Sequence, residues 1–174
     1  MALALCLLPD RQGERALRGL WDRLEQAGVP SLHSHTHGRH VPHLSYVVLR
    51  RWDDDAVRAA VAELPAGEPV TLSFDGLGFF RRGRAWLVPT PAVDLLHRQR
   101  RALAAVIATG AEVHRHYEAG TWCPHCSLAP RVRLQAMPTL AAVVYDVLPL
   151  LVHFDRAAWV DTGTGERWPL PRLP

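Results

Sequence analysis

Two short segments decide how the chain is interpreted: Val41-Pro42-His43-Leu44-Ser45-Tyr46-Val47 and Cys123-Pro124-His125-Cys126-Ser127-Leu128-Ala129. Both have the order Pro-His-x-Ser followed by apolar residues. Proline can open a strand without losing a needed hydrogen bond, and side chains two positions apart on a strand share one face. Each segment is therefore predicted to project an imidazole and a hydroxyl together from the start of a strand.

Predicted helices and strands alternate along the rest of the chain. Apolar periodicity and turn residues predict helices at about 11–27, 53–64, 91–110 and 138–148. Strands are predicted at 3–8, 41–49, 70–74, 79–80, 85–88, 125–129, 150–160 and 167–170. No low-complexity linker divides the 174 residues, and 48% hydrophobic content suffices for one core. We expect a single domain of mixed α and β structure over residues 1–174.

The basic residues are all arginine. The sequence has 20 Lys plus Arg positions, every one of which is Arg, and a net charge of +3. Without lysine, the chain cannot carry a nucleotide on a lysine amine, form a lysine Schiff base or hold a phosphate with a P-loop lysine. Arginine forks suit phosphate, so an anionic partner such as a nucleotide or an RNA end is predicted. A GC-rich coding sequence would give the same bias.

Cysteine usage and hydropathy predict the environment of the protein. Three cysteines without a secretion signal indicate a reducing compartment in which thiols stay free. The longest apolar stretch, 137–154, is interrupted by Pro138, Asp146, Pro149 and His153, which argues against a membrane span. We expect a cytoplasmic monomer that does not associate with membranes.

The paired motifs resemble the two H-x-[ST] signatures of the 2H phosphoesterase superfamily, specifically the bacterial 2′-5′ RNA ligase-like proteins. The segment Gly76-Leu77-Gly78-Phe79-Phe80 before an Arg-rich turn and Trp86, together with the first strand and helix and the closing strand pair, resembles the same family. The resemblance covers nearly the whole chain. It implies an α+β, bilobal fold, in which two antiparallel β-sheets flanked by helices surround a central cleft between two pseudo-symmetric lobes.

The resemblance also implies an activity, the hydrolysis of a 2′,3′-cyclic phosphate on RNA or a nucleotide to a 2′-phosphomonoester. One imidazole takes a proton from water while the other protonates the departing ribose oxygen. His43 and His125 are the predicted acid and base, and Ser45 and Ser127 are predicted to donate hydrogen bonds to the phosphate oxygens. No metal, ATP or other cofactor is expected.

Three arginines are weaker candidates for substrate binding. Arg81 and Arg82 lie in the turn after Phe80, where they can meet an RNA backbone, although exposed arginines in a turn are often only solvated. Family members often have threonine at the hydroxyl positions and arginine directly after the second motif. Here Pro130 takes that arginine's place and Arg131 follows one position later, which puts its phosphate contact in doubt.

Two other kinds of site compete for the second motif. Cys123-Pro124-His125-Cys126 also matches the active-site pattern of thioredoxin-fold thiol oxidoreductases, which require a helix after the first cysteine. His114 and His116 together with Cys123 and Cys126 supply a possible zinc ligand set, although the spacing is unfamiliar. An RNA-binding module that keeps the fold without turnover is a third alternative. The polar loop with His33, His35, His37 and His40 leads directly into His43 and can line the entrance to the cleft.

Overall fold

The computed structural model describes residues 2–174, so Met1 of the predicted domain lies outside the described residues. The helices are α1 (Arg11–Gln26), α2 (Asp54–Ala62), α3 (Val93–Ala108) and α4 (Met137–Tyr145). The strands are β1 (Leu3–Pro9), β2 (Leu44–Arg51), β3 (Val70–Phe80), β4 (Arg84–Pro89), β5 (Glu112–Val113), β6 (Cys126–Ala129), β7 (Leu150–Asp161) and β8 (Arg167–Pro169).

The first helix shows how local sequence sets these elements. The Asp10 side chain accepts a hydrogen bond of 2.7 Å from the Gly13 amide, which caps the start of α1. Gly28 follows the helix with a φ of +78°, a left-handed conformation that glycine adopts without strain. The apolar stripe predicted from the sequence is the buried face of the helix: Leu17, Leu20, Trp21 and Leu24.

The eight strands form one antiparallel sheet in the order β1–β2–β6–β4–β3–β7–β8, with β5 paired to β2. Strand β7 pairs with β3 along its first half and with β1 along its second half, which closes the sheet into a circuit. The α+β class and the antiparallel pairing are confirmed. The two predicted sheets are two halves of this one sheet, joined by β7 and by the single pair Leu44–Cys126.

Two elements differ from the prediction. Strand β3 continues without the expected break between residues 74 and 79, because an irregularity in its pairing with β4 between Phe74 and Gly76 accommodates Asp75. Strand β5 was not predicted, since two residues are too few to show an alternating pattern.

Helices cover the sheet and enclose the core. Helix α1 packs against β7 and α4, while α3 packs against β2 and α2. The largest fully buried side chains include Trp21, Tyr46, Phe74, Phe154 and Trp159. Among residues 2–174, no helix is both long enough and apolar enough to cross a membrane.

Candidate active site

The two histidine motifs meet where the halves of the sheet join. Leu44 at the start of β2 pairs with Cys126 at the start of β6. Side chains alternate between the faces of a sheet, so the residues on either side of this pair project from the face opposite to Leu44 and Cys126. This arrangement brings both Pro-His-x-Ser motifs to one place, although 82 residues separate His43 from His125 along the chain.

The main chain holds both imidazoles in the same way. The His43 Nδ1 lies 2.7 Å from the Val41 carbonyl oxygen, and the His125 Nδ1 lies 2.8 Å from the Cys123 carbonyl oxygen. Because a carbonyl oxygen only accepts, each Nδ1 must carry the hydrogen. In the neutral form of each ring, Nε2 is therefore an unprotonated acceptor that can take a proton from a ligand or from water.

Two tryptophans support the motifs in matching positions. The Trp122 indole donates a hydrogen bond of 3.0 Å to the Ser45 carbonyl, and the Trp21 indole donates one of 3.2 Å to the Ser127 carbonyl. Sequence reasoning assigned Trp21 to the core face of α1 and did not consider Trp122. The two tryptophans have unrelated local sequences, so only the folded chain shows their equivalence.

A cavity of about 1190 Å³ opens beside this junction, and both His43 and His125 line it. Ser127 lines it as well. The predicted substrate-binding arginines are all in its wall, together with three more that the sequence did not single out. The six are Arg39, Arg81, Arg82, Arg84, Arg115 and Arg131.

These six arginines are free of carboxylate partners in the described part of the chain, as are several arginines outside the cavity. Six others form ion pairs with carboxylates: Arg18, Arg23, Arg51, Arg58, Arg98 and Arg156. Within residues 2–174, none of the six cavity arginines forms such a pair. Asp161 is the one carboxylate of the cavity wall in this part of the chain, and its Oδ1 accepts from the amides of Gly163 and Thr164. The cavity is therefore suited to an anionic ligand.

Aromatic side chains surround His125. The Phe80 ring meets it edge-on with 4.9 Å between ring centroids, and the Trp86 ring lies 5.7 Å away. Burial is the largest influence and lowers the pKa of His125 to about 4, with smaller contributions from His43 and His116. The hydrogen bond to Cys123 opposes this shift. His125 is consequently neutral in the unliganded protein near pH 7.

His43 has a different set of neighbours. Burial lowers its pKa, and the hydrogen bond to Val41 opposes that shift. His40 lies close enough to interact with it electrostatically, and the pKa of His40 is lowered to about 4 by burial and by the charges of His37, His35 and His43. The loop of residues 31–40 thus reaches the cavity, as the sequence predicted, with His35 and His40 in the wall.

Ser45 is placed differently from Ser127. Its side chain is buried, with 7% of the residue exposed, and its hydroxyl lies 3.4 Å from the Cys6 thiol. Burial raises the pKa of Tyr117, while a hydrogen bond with Ser45 opposes that rise. Tyr117 lines the cavity and Ser45 does not. The first motif therefore reaches the cavity through His43 and, by way of its serine, through Tyr117.

The structure contradicts the thiol oxidoreductase alternative. The second motif leads into strand β6 instead of a helix, so no helix N-terminus stabilises a Cys123 thiolate. Burial raises the pKa of the Cys123 thiol and raises that of Cys126 to about 12, the opposite of what a reactive thiolate needs. For zinc, the described residues contain no group of three or more His, Cys, Asp or Glu side chains arranged to hold a metal ion.

Several solved structures share this architecture, and one of them is a phosphoesterase. The chain superimposes on E. coli LigT with a TM-score of 0.65 and 15% identity, covering 99% of this chain and 95% of that one. TT0787 of Thermus thermophilus gives a TM-score of 0.62 at 15% identity, covering 99% and 97%. Usb1 of Kluyveromyces marxianus gives 0.51 at 15% identity, covering 98% and 97%. No curated protein matches the sequence of this chain.

The chain has the fold of these solved structures, with its two histidine motifs beside a basic cavity. Residues 9–166 match the family model of the 2′-5′ RNA ligase superfamily. The chain belongs to that superfamily, and the resemblance noted from its two motifs is confirmed.

Proposed function

We propose that the protein hydrolyses a 2′,3′-cyclic phosphate at the end of an RNA or on a nucleotide and releases a 2′-phosphomonoester. The observation that carries this proposal is the matched orientation of His43 and His125, whose Nδ1 atoms are both held by main-chain carbonyls beside a basic cavity. Membership of the superfamily supports it. The related LigT has been crystallised with 3′-AMP and with phosphate, which are ligands of the same chemical class.

The proposed reaction needs one neutral and one protonated histidine. The neutral Nε2 removes a proton from a water molecule as its oxygen attacks phosphorus. The bond between phosphorus and the ribose O3′ then breaks, and the protonated imidazole gives its proton to O3′. The negative charge of a bound phosphate raises the pKa of a nearby imidazole, so substrate binding favours the protonated partner that the unliganded site lacks.

The two serines have different roles in this proposal. Ser127 lies in the cavity wall, where its hydroxyl can donate to a non-bridging phosphate oxygen as charge builds up there. Ser45 is buried and contacts Tyr117, so it acts by positioning that side chain instead of meeting the phosphate itself. We expect Ser127→Ala to lower kcat more than Ser45→Ala does.

Arg81, Arg82 and Arg131 bind the substrate in this proposal. All three are exposed, line the cavity and lack an ion-pair partner among the residues that the structure describes. Each phosphate contact releases counterions, so alanine at Arg81 and Arg82 should weaken RNA binding and reduce its salt dependence. Unchanged binding would remove these two residues from the interface.

The decisive experiment is hydrolysis of a short RNA that ends in a 2′,3′-cyclic phosphate, with excess EDTA and without ATP. Wild-type protein should turn over, and His43→Ala and His125→Ala should each lose roughly 10²–10⁴-fold in kcat, the usual contribution of a general acid or base. His97→Ala is the matched control, because His97 is exposed on α3 and lies outside the cavity wall. A folded wild-type protein that binds the RNA without turnover would instead support a binding module.

A further inference from the structure

The loop between α1 and β2, residues 31–40, carries groups that the proposed acid and base do not use. We refer to it as the histidine loop. Four of its residues are histidines, and Arg39 lies beside the last of them. His35, Arg39 and His40 line the same cavity as the two motif histidines.

A carboxylate on α1 fixes the base of the histidine loop. The Glu25 Oε1 accepts from the Ser31 amide at 3.1 Å and from the Ser31 hydroxyl at 2.8 Å. It also accepts from the Ser34 amide at 3.3 Å and from the Ser34 hydroxyl at 2.6 Å. These bonds, with that of the Ser34 hydroxyl the strongest influence, lower the pKa of Glu25 to about 2. The loop is therefore built on a carboxylate that stays ionised at neutral pH.

One further contact holds the loop against the second motif, and another holds the tip of the loop. The Leu32 amide donates a hydrogen bond of 2.9 Å to the Leu128 carbonyl of β6, next to Ser127. The His37 ring packs so closely on Gly165 that a Cβ there would lie 2.6 Å from it. The loop thus has a defined position beside the cavity.

The imidazoles of the loop lie close together and near arginines at the ends of the strands. The His40 ring centroid lies 5.7 Å from that of His35 and 4.2 Å from that of His37. Burial lowers the pKa of His35, and the charges of His37, Arg131 and Arg84 lower it further. Arg131, just after β6, and Arg84, at the start of β4, are therefore neighbours of the loop.

One phosphate group is too small to fill this cavity or to pair with all of its arginines. Its volume of about 1190 Å³ exceeds the range of roughly 300–1,000 Å³ that is usual for small-molecule pockets. Its six arginines come from four segments of the chain, three of them from the β3–β4 turn and the start of β4, and its one carboxylate among the described residues is already engaged. A ligand with two phosphates would satisfy this distribution of charge better than a ligand with one.

We propose that the histidine loop, together with Arg84 and Arg131, binds a second phosphate, the one on O5′ of the ribose that carries the cyclic phosphate. The inference rests on the proposed function and refines its substrate class. The preferred substrate has a phosphate on both sides of that ribose, either as a free 5′-phosphate or as the internal phosphodiester of an RNA chain. A 2′,3′-cyclic nucleoside monophosphate is then a poor substrate.

A binding measurement tests this without turnover. In calorimetric titrations, wild-type protein should bind adenosine 2′,5′-bisphosphate at least roughly tenfold more tightly than adenosine 2′-monophosphate, because charge-assisted hydrogen bonds to the second phosphate are added. Arg39→Ala and Arg131→Ala should each reduce that ratio severalfold. Arg100→Ala is the matched control for net charge, since Arg100 is exposed on α3 outside the cavity wall. Equal affinities for the two ligands, or a ratio that survives both cavity variants, would overturn the proposal.

Kinetics separate the two sources of the second phosphate. Three substrates are compared: adenosine 2′,3′-cyclic phosphate, its 5′-phosphorylated form, and a dinucleotide that ends in the cyclic phosphate. The proposal expects a higher kcat/KM for both of the last two. A gain for the dinucleotide alone would show recognition of the upstream nucleoside and would refute it. If no substrate is hydrolysed while the bisphosphate preference persists, the proposed function fails and the second phosphate site stands.

Discussion

Replacement of Phe80 by alanine tests whether aromatic burial sets the protonation of His125. The Phe80 ring lies edge-on to the imidazole with 4.9 Å between centroids, and it stacks on Trp86 at 4.7 Å. These rings exclude water from one side of His125. Burial is also the largest cause that lowers the pKa of His125 from 6.5 to about 4. Phe80→Ala should therefore move this pKa upward.

The size of the expected shift follows from these contacts. The full lowering from 6.5 to about 4 corresponds to roughly 3.4 kcal/mol at 1.36 kcal/mol for each pKa unit. Phe80 is one of two aromatic rings on the imidazole, and the cavity already admits solvent on another side. Loss of its ring should therefore restore somewhat less than half of the lowering, a rise of about one unit or roughly 1.4 kcal/mol.

The assay is a titration of the His125 imidazole by nuclear magnetic resonance, compared with the pH profile of kcat/KM. The limb of the profile that His125 controls should move to higher pH by the same amount. Phe80→Leu should restore most of the wild-type pKa, because leucine again covers the ring. Phe79→Ala is the matched control, since Phe79 lines the same cavity but its ring is not among the aromatic contacts of His125 in the described residues. An unchanged pKa in folded Phe80→Ala would refute aromatic burial as the cause.

Three further predictions concern stability and the second motif. The pKa values of His40 and His125 are lowered to about 4, so the unfolded chain binds more protons between about pH 6.5 and 4; the free energy of unfolding, measured by urea denaturation, should fall as pH drops through that window. Gly83 has a φ of +69°, and a Cβ there would lie 2.2 Å from the Val132 carbonyl oxygen. Gly83→Ala should therefore cost about 2 kcal/mol or more, detectable as a lower Tm than that of Gly110→Ala, which has open space around it. Cys123→Ser should retain cyclic phosphodiesterase activity, because serine keeps the main-chain carbonyl that orients His125; loss of turnover would give the thiol a chemical role.

Much of the fold could be predicted because its local signals are strong. The stripe of α1, the helix predicted at 53–64 and the apolar runs of β1 and β7 all appear in the structure within a few residues of their predicted ends. The closure of the sheet could not be predicted. It depends on the pairing of β7 with both β1 and β3, and a strand's partners are fixed by long-range contacts that local periodicity does not encode.

The candidate site, like the fold, was predicted from the sequence only in part. His43, His125, Ser127, Arg81, Arg82 and Arg131 were all predicted from motifs and charge, and the structure brings all of them to one cavity. Ser45 was predicted on the same pattern, but it pairs with Cys6 of β1 and is buried. Tyr117 carried no signal of its own, because it becomes part of the site only when the segment after β5 folds against β2.

The equivalence of the two motifs explains why the sequence could not divide the roles of acid and base. Both histidines follow a proline, both donate Nδ1–H to a carbonyl two residues earlier, and both motif serines have a carbonyl bound by an indole. The difference between them comes from tertiary neighbours. His125 is covered by Phe80 and Trp86, whereas His43 faces the histidine loop through His40. A phosphate held by that loop would place negative charge near His43, while the aromatic cover of His125 would be unchanged. Which histidine acts as the acid and which as the base therefore depends on what the loop binds. The pKa of His43 should respond to a second phosphate more than the pKa of His125 does.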